Sequence, residues 1–176
     1  PLAAHVLKEA VARAGVESNE VEDIVLGCGL PQGATGHNIG RTAALEAGFD
    51  VPGVTVNRYC GSGLTAASMI ASRIATGEIA CGIAGGVESI SLVQMGIAVD
   101  GFFYAPLQAR MPAVWWTMNE TADFVAKKYG ISREALDQYV VGSQQRVEAA
   151  RAAGKFAEEI TPFKAVMKVV DKATGQ

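Results

Sequence analysis

The run VTVNRYCGSG, Val54 to Gly63, changes character twice. Val54, Thr55 and Val56 are β-branched, and they predict a strand over Val54–Asn57. From Gly61 to Thr76 small residues cover much of the surface of an expected helix that Gly77 ends. Between the two lies a sharp turn, Arg58-Tyr59-Cys60-Gly61, which sets a cysteine at the mouth of a helix. The first backbone N–H groups of a helix have no partner within it, and together with the helix dipole they stabilise negative charge. They can donate to an oxyanion. Gly61 and Gly63 carry no side chain that would block an approaching carbonyl. Hydrolases place their nucleophile on a comparable elbow, and a thiol suits thioester exchange because it both attacks and leaves well. An inert, buried apolar residue is the alternative reading of Cys60, and the residues alone leave the two open.

Outward from this stretch the same alternation repeats. Val6, Leu7, Ala10, Val11 and Ala14 recur at helical spacing in Leu2–Ala14, with Gly15 at the C-cap position. Val21–Leu26 reads as a buried strand ending in Gly27-Cys28-Gly29, residues 31–38 as a glycine-rich loop, and Ile39–Ala47 as a short helix closed by Gly48. Ile79–Ala84 reads as another apolar strand before Gly85-Gly86. Helices alternating with short apolar strands imply an α/β fold whose parallel sheet is covered on both faces. After Glu88 the pattern changes. Ser91–Val114 is aromatic and irregular, helices are expected over Thr121–Tyr129 and Ser132–Ala153, and Ile160–Val170 is expected to be extended. A boundary is placed near residue 90, which divides the chain into 1–90 and 91–176.

With 176 residues, 49% hydrophobic and 19% charged, the chain can bury a sizeable core. A net charge of −3 gives no electrostatic case for nucleic acid or an anionic membrane surface. No apolar run is long enough for a transmembrane helix. Cys28, Cys60 and Cys81 form no CxxC pair, and only His5 and His37 could join them, so no metal site is expected. An odd cysteine count favours a reducing compartment, and a cytoplasmic location is expected with organelle import left open. Cys28 and Cys81 are read as core residues, His37 as a surface or interface residue, and Asn57 as a brace for the turn. Glu88, at a strand exit, either positions the Cys60 turn or merely caps a turn, and the structural role is preferred.

Two segments, VNRYCGSGLTAA (56–67) and IATGEIACGIAGGVESIS (74–91), resemble the thiolase family, in which the cysteine precedes Ser-Gly-Leu and the next strand ends in Ala-Gly-Gly-x-Glu-Ser. Ala84, Gly85, Gly86, Glu88, Ser89 and Ser91 match, and Ile90 replaces the family's Met. GATGHNIGRTAALEAG (33–48) is similar to the family's loop and helix, and residues 118–163 are similar almost throughout. The resemblance implies a layered αβαβα thiolase fold, with residues 1–90 as an N-terminal core half and 91–176 as loop-domain segment. It implies that the opening strand and a C-terminal half lie outside this chain.

The resemblance also implies a CoA-dependent acyltransferase, either an acetyl-CoA acetyltransferase or a 3-ketoacyl-CoA thiolase. Cys60 would be acylated and its N–H would serve the oxyanion hole; Gly61 and Met118 would bind substrate, Met118 in the acyl pocket. Thr117 and Asn119 stand where several family members carry His and Gly. The activating histidine, an Asn–His pair and a second cysteine would come from the C-terminal half. No cofactor is implied beyond CoA thioesters as substrates, and a homodimer or homotetramer is expected. Trp115-Trp116 and Phe102–Tyr104 are read as interface packing in preference to an acyl tunnel. Ketoacyl-ACP and hydroxymethylglutaryl-CoA synthases are related rivals, against which residues 118–163 argue. A non-catalytic thiolase-like binding or dimerisation protein is the rival of another class.

Overall fold

The computed structural model describes residues 1–97 and 101–166, which divide into two units: 1–97 with 161–166, and 101–160. In the first unit, helix α1 (Leu2–Ala14) buries Ala4, Leu7 and Val11 along one stripe, and Gly15 ends it at φ 68° with its N–H on the Ala12 carbonyl. Strand β1 (Asp23–Gly27) is buried along its whole length. Helix α2 (Ile39–Ala47) leads to strand β2 (Gly53–Val56), and helix α3 (Ser62–Ala75) leads to strand β3 (Gly82–Gly86). The described strands form one parallel sheet in the order β2-β1-β3, with Ile24 opposite Gly53 and Asp23 opposite Gly82.

Strand alternation sorts the core. Ile24 and Leu26 pack with Leu7, Val11 and Ala44 on the face of α1 and α2, while Val25 packs with Ala66 and Ile70 of α3 on the other. A parallel sheet covered on both faces is therefore what the structure contains.

Helix α2 and β2 meet through bare backbone. A Cβ on Gly40 would stand 2.3 Å from the Val54 carbonyl oxygen, and one on Gly53 would stand 2.7 Å from the Arg41 Cα. Asn38 secures the same junction: its side chain accepts from the Arg41 N–H (3.2 Å) and the Thr55 hydroxyl (2.8 Å) and donates to the Gly53 carbonyl (2.7 Å).

All three strands are shifted from the expected ranges, β2 by one residue, from Val54–Asn57 to Gly53–Val56. The strand expected at Ile79–Ala84 is realised at Gly82–Gly86, because Glu22 takes the preceding N–H groups: its carboxylate accepts from Ala80 (2.5 Å) and Cys81 (3.2 Å). The strand expected at Val21–Leu26 is realised at Asp23–Gly27, where Asp23 pairs with Arg73 of α3, which also holds Glu78 at 2.8 Å. The stretch expected to be irregular, Ser91–Val114, contains helix α4 (Ile90–Val93, starting one residue earlier), helix α5 (Ala105–Arg110) and two 3-10 turns, Gln94–Gly96 and Pro112–Trp115. Pieces this short cannot display a 3.6-residue period. Residues 161–166 carry no regular structure, and His5 of α1 stacks on Phe163 at 5.3 Å. The remainder of the expected extended segment, 167–170, lies outside the described residues.

In the second unit, Phe102, Phe103 and Trp115 form an aromatic cluster with ring separations of 5.2 to 6.0 Å. Helix α6 (Met118–Tyr129) begins three residues before the expected Thr121, since Thr117 and Glu120 form a reciprocal capping box (2.8 and 3.2 Å). Hydrogen bonds to its carboxylate from the Thr117 N–H (2.8 Å) and the Thr117 hydroxyl (2.9 Å) hold the Glu120 carboxyl below the ordinary range. Ser132 caps helix α7 (Arg133–Ala152) by accepting from the Ala135 N–H at 3.2 Å. Among the described residues no helix is long and apolar enough to cross a membrane.

The same substitution should have opposite effects at two helical glycines. Gly40→Ala drives a methyl into the Val54 carbonyl and should cost about 1–3 kcal/mol. Gly142→Ala places its Cβ in ordinary contact with Arg146, 3.6 Å away, and should add up to about 1 kcal/mol through helix propensity. Urea midpoints of the whole protein check both signs.

Candidate active site

The three strands end at one edge of the sheet, so their exit loops gather there. The loops remain tied to the strands: the Cys28 N–H donates to the Val56 carbonyl (3.0 Å) and the Val87 N–H to the Gly27 carbonyl (2.9 Å). A Cβ on Gly27 would stand 2.4 Å from the carbonyl carbon of Ser62 and 2.5 Å from the nitrogen of Gly63. The end of β1 thus lies directly on the first turn of α3.

The turn into α3 has Tyr59 at φ 45°, a left-handed conformation that an aromatic residue rarely adopts. Four hydrogen bonds surround it. The Tyr59 N–H donates to the Asn57 side-chain oxygen (2.8 Å), and the Arg58 N–H donates to the Ser62 hydroxyl (2.8 Å). That hydroxyl donates to the Tyr59 carbonyl (2.6 Å), which also accepts from the Ser62 N–H (3.0 Å). Cys60 follows, exposed, and Gly61 opens the 14-residue helix α3. A Cβ on Gly61 would approach the Arg58 carbonyl oxygen at 3.4 Å. A groove of about 400 Å³ begins at Arg58 and runs along Thr65, Ser68, Met69, Ser72 and Arg73 of α3.

Beside the elbow, Glu88 reaches across from the β3 exit to the β1 exit. Its carboxylate accepts from the Gly29 N–H (2.7 Å), the Leu30 N–H (3.3 Å) and the Cys28 thiol (3.6 Å). Burial, above all, pushes the Cys28 thiol up, and the neighbouring Glu88 charge adds to the rise. Cys28 is buried and Cys81 half-buried.

Of the residues singled out in the sequence, Cys60, Gly61, Asn57 and Glu88 belong to this cluster of exits, and Asn57 braces the turn as expected. Met118 opens α6 in the other unit and is 71% exposed. His37 lies exposed at φ 53° in the loop before α2. Among the described residues, no hydrogen bond joins either histidine to the elbow, and no group of three or more His, Cys, Asp or Glu side chains is arranged to hold a metal. Sequence reading missed Ser62, whose hydroxyl both accepts and donates across the turn; a serine just inside a helix start is the signal that was available.

Ser62→Ala removes the part-buried acceptor of the Arg58 N–H on a turn whose residues 57–60 are exposed. A loss of about 0.5–1.5 kcal/mol is expected, read from the unfolding midpoint.

Comparison with known proteins identifies the family. The family model for the thiolase N-terminal domain matches residues 1–175. The chain is 41% identical over 163 residues to a 3-ketoacyl-CoA thiolase of Bacillus subtilis, covering 92% of this chain and 41% of that protein. It is 42% identical over 174 residues to an acetyl-CoA acetyltransferase of Cupriavidus necator, covering 92% and 44%. It is 41% identical over 161 residues to a beta-ketoadipyl-CoA thiolase of Acinetobacter baylyi, covering 81% and 40%. The chain therefore spans less than half the length of these curated relatives. On a match that runs through both units and across the whole strand–elbow–helix motif, the chain belongs to the thiolase family, in the region of its N-terminal domain.

Proposed function

We propose that the protein is a CoA-dependent acyltransferase of thiolase type and that Cys60 carries the acyl group. The observation that supports this is the exposed Cys60 thiol at the start of α3, on a turn held by Asn57 and Ser62. The relatives named 3-ketoacyl-CoA thiolase and acetyl-CoA acetyltransferase point to the same substrates.

With an acyl-CoA, the Cys60 sulfur attacks the thioester carbonyl. The bond from that carbon to the CoA sulfur breaks, and CoA leaves as a thiol with the proton that Cys60 gave up. With a 3-ketoacyl-CoA, the sulfur attacks the 3-keto carbon and the C2–C3 bond breaks. The C2 carbanion then takes the proton, so acetyl-CoA departs. In either case the acyl-Cys60 thioester passes its acyl group to the CoA thiol or to deprotonated C2 of acetyl-CoA, and Cys60 is restored. The first turn of α3 offers N–H donors to the oxyanion of each attack. Gly61 is the proposed border of the substrate carbonyl and Met118 the proposed lining of the acyl pocket. The proton-transferring base is assigned to the part of the protein beyond these residues.

In this reading residues 1–90 form the N-terminal core half and 91–176 belong to a loop domain. CoA thioesters are substrates and no resident cofactor takes part. The protein works in the cytoplasm as a homodimer or homotetramer.

Brief incubation of the whole protein with acetyl-CoA should add one acetyl-sized increment to its intact mass, and Cys60→Ala should abolish it. An unmodified wild-type protein sinks the acyl-enzyme reading and favours a non-catalytic thiolase-like binding protein.

A further inference from the structure

We propose that Glu88 is a positioning residue for Cys60, acting through Gly29 and Tyr59. The proposal deepens the acyl-enzyme reading and rests on it for the identity of the reacting sulfur. Three donors in succession at the β1 exit converge on one carboxylate: the Gly29 and Leu30 N–H groups on Oε2, and the Cys28 thiol on Oε1. An ionised carboxylate accepts at both oxygens, whereas an amide turns two hydrogens toward one of these donors.

The loop held in this way lies against the elbow. A Cβ on Gly29 would stand 3.0 Å from Glu88 Oε2 on one side and 3.5 Å from the Tyr59 Cα on the other. Gly29 is therefore a thin spacer between the carboxylate and the residue at φ 45° that aims Cys60. The elbow's own hydrogen bonds, from Asn57 and Ser62, hold Tyr59 from within the turn. Glu88 supplies the support from outside it. Cys28 is buried and its thiol is pushed up by burial, so it keeps its proton and remains a donor to Glu88. No step of the acyl transfer uses Glu88, which places it apart from groups that touch substrate.

A displaced elbow should slow the chemistry and spare binding, since a shift of about 1 Å at a reacting group can cost up to about a hundredfold in rate. The test uses Glu88→Gln and Gly29→Ala in the whole protein. Gly29 is at negative φ, so alanine is allowed there; its methyl presses on Glu88 Oε2 at 3.0 Å and meets the Tyr59 Cα in ordinary contact at 3.5 Å. Acylation of Cys60 at saturating acetyl-CoA, the KM for acetyl-CoA, the Cys60 alkylation rate with iodoacetamide and the melting temperature are measured for each. The expected result is acylation slowed about tenfold in both variants, with KM within about twofold and melting little changed. Glu88→Asp should recover part of the rate. Alkylation should change alongside acylation, because the turn that presents the exposed Cys60 sulfur is moved. Equal acylation and alkylation rates in wild type and Gly29→Ala, or a Glu88→Gln loss that vanishes when rates are scaled to folded protein, overturn the proposal. A wild-type protein that takes no acyl group defeats the acyl-enzyme reading. The alkylation comparison still decides the positioning role in that case.

Discussion

At Gly27 the backbone of β1 lies against the backbone of α3 with no side chain between them. A methyl there would sit 2.4 Å from Ser62, closer than any real contact, so the central strand and the helix that carries Cys60 have a single mutual arrangement. Gly40 and Gly53 make the equivalent junction between α2 and β2. Glycines at these places are required by close approach, and none of the three has positive φ. The elbow hangs between the two junctions: β2 leads into it from one, and α3 leaves it at the other.

This frame makes the conformation of Tyr59 tolerable. A left-handed aromatic residue stores about 1–3 kcal/mol of strain and persists only where its surroundings over-determine it. Here Asn57 takes its N–H, Ser62 and the helix start take its carbonyl, and Gly29 lies close on its other side. The result is a thiol held at the positive end of a 14-residue helix on a turn that resists relaxation. Such preorganisation suits chemistry whose transition state gathers charge on an oxygen.

Acidic side chains do much of the remaining positioning, each at the end of a strand or in a loop beside one. Glu22 takes the N–H groups ahead of β3, Asp23 holds Arg73 of α3, and Glu88 joins the β3 exit to the β1 exit. A carboxylate accepts several backbone N–H groups at once, so it can satisfy a loop that has no strand partner. That is why β3 begins at Gly82, although the apolar run before it starts at Ile79.

Local chemistry determined much of this molecule directly from the residues. Helix α2 lies where its apolar spacing and Gly48 place it, α1 ends at Gly15, and Cys60 stands between strand and helix because β-branched residues give way to small ones there. The resemblance to thiolases was legible in residues 56–91 for the same reason: a nucleophile turn needs its glycines, cysteine and serine adjacent in the chain. The tertiary structure alone decided the rest. It set the order β2-β1-β3, the late start of β3, the service of Glu88 to a loop 58 and 59 residues away, and the strain at Tyr59. Each depends on a hydrogen bond or a close approach between residues distant in sequence, and periodicity, which reports only neighbours along the chain, carries no record of such a partner.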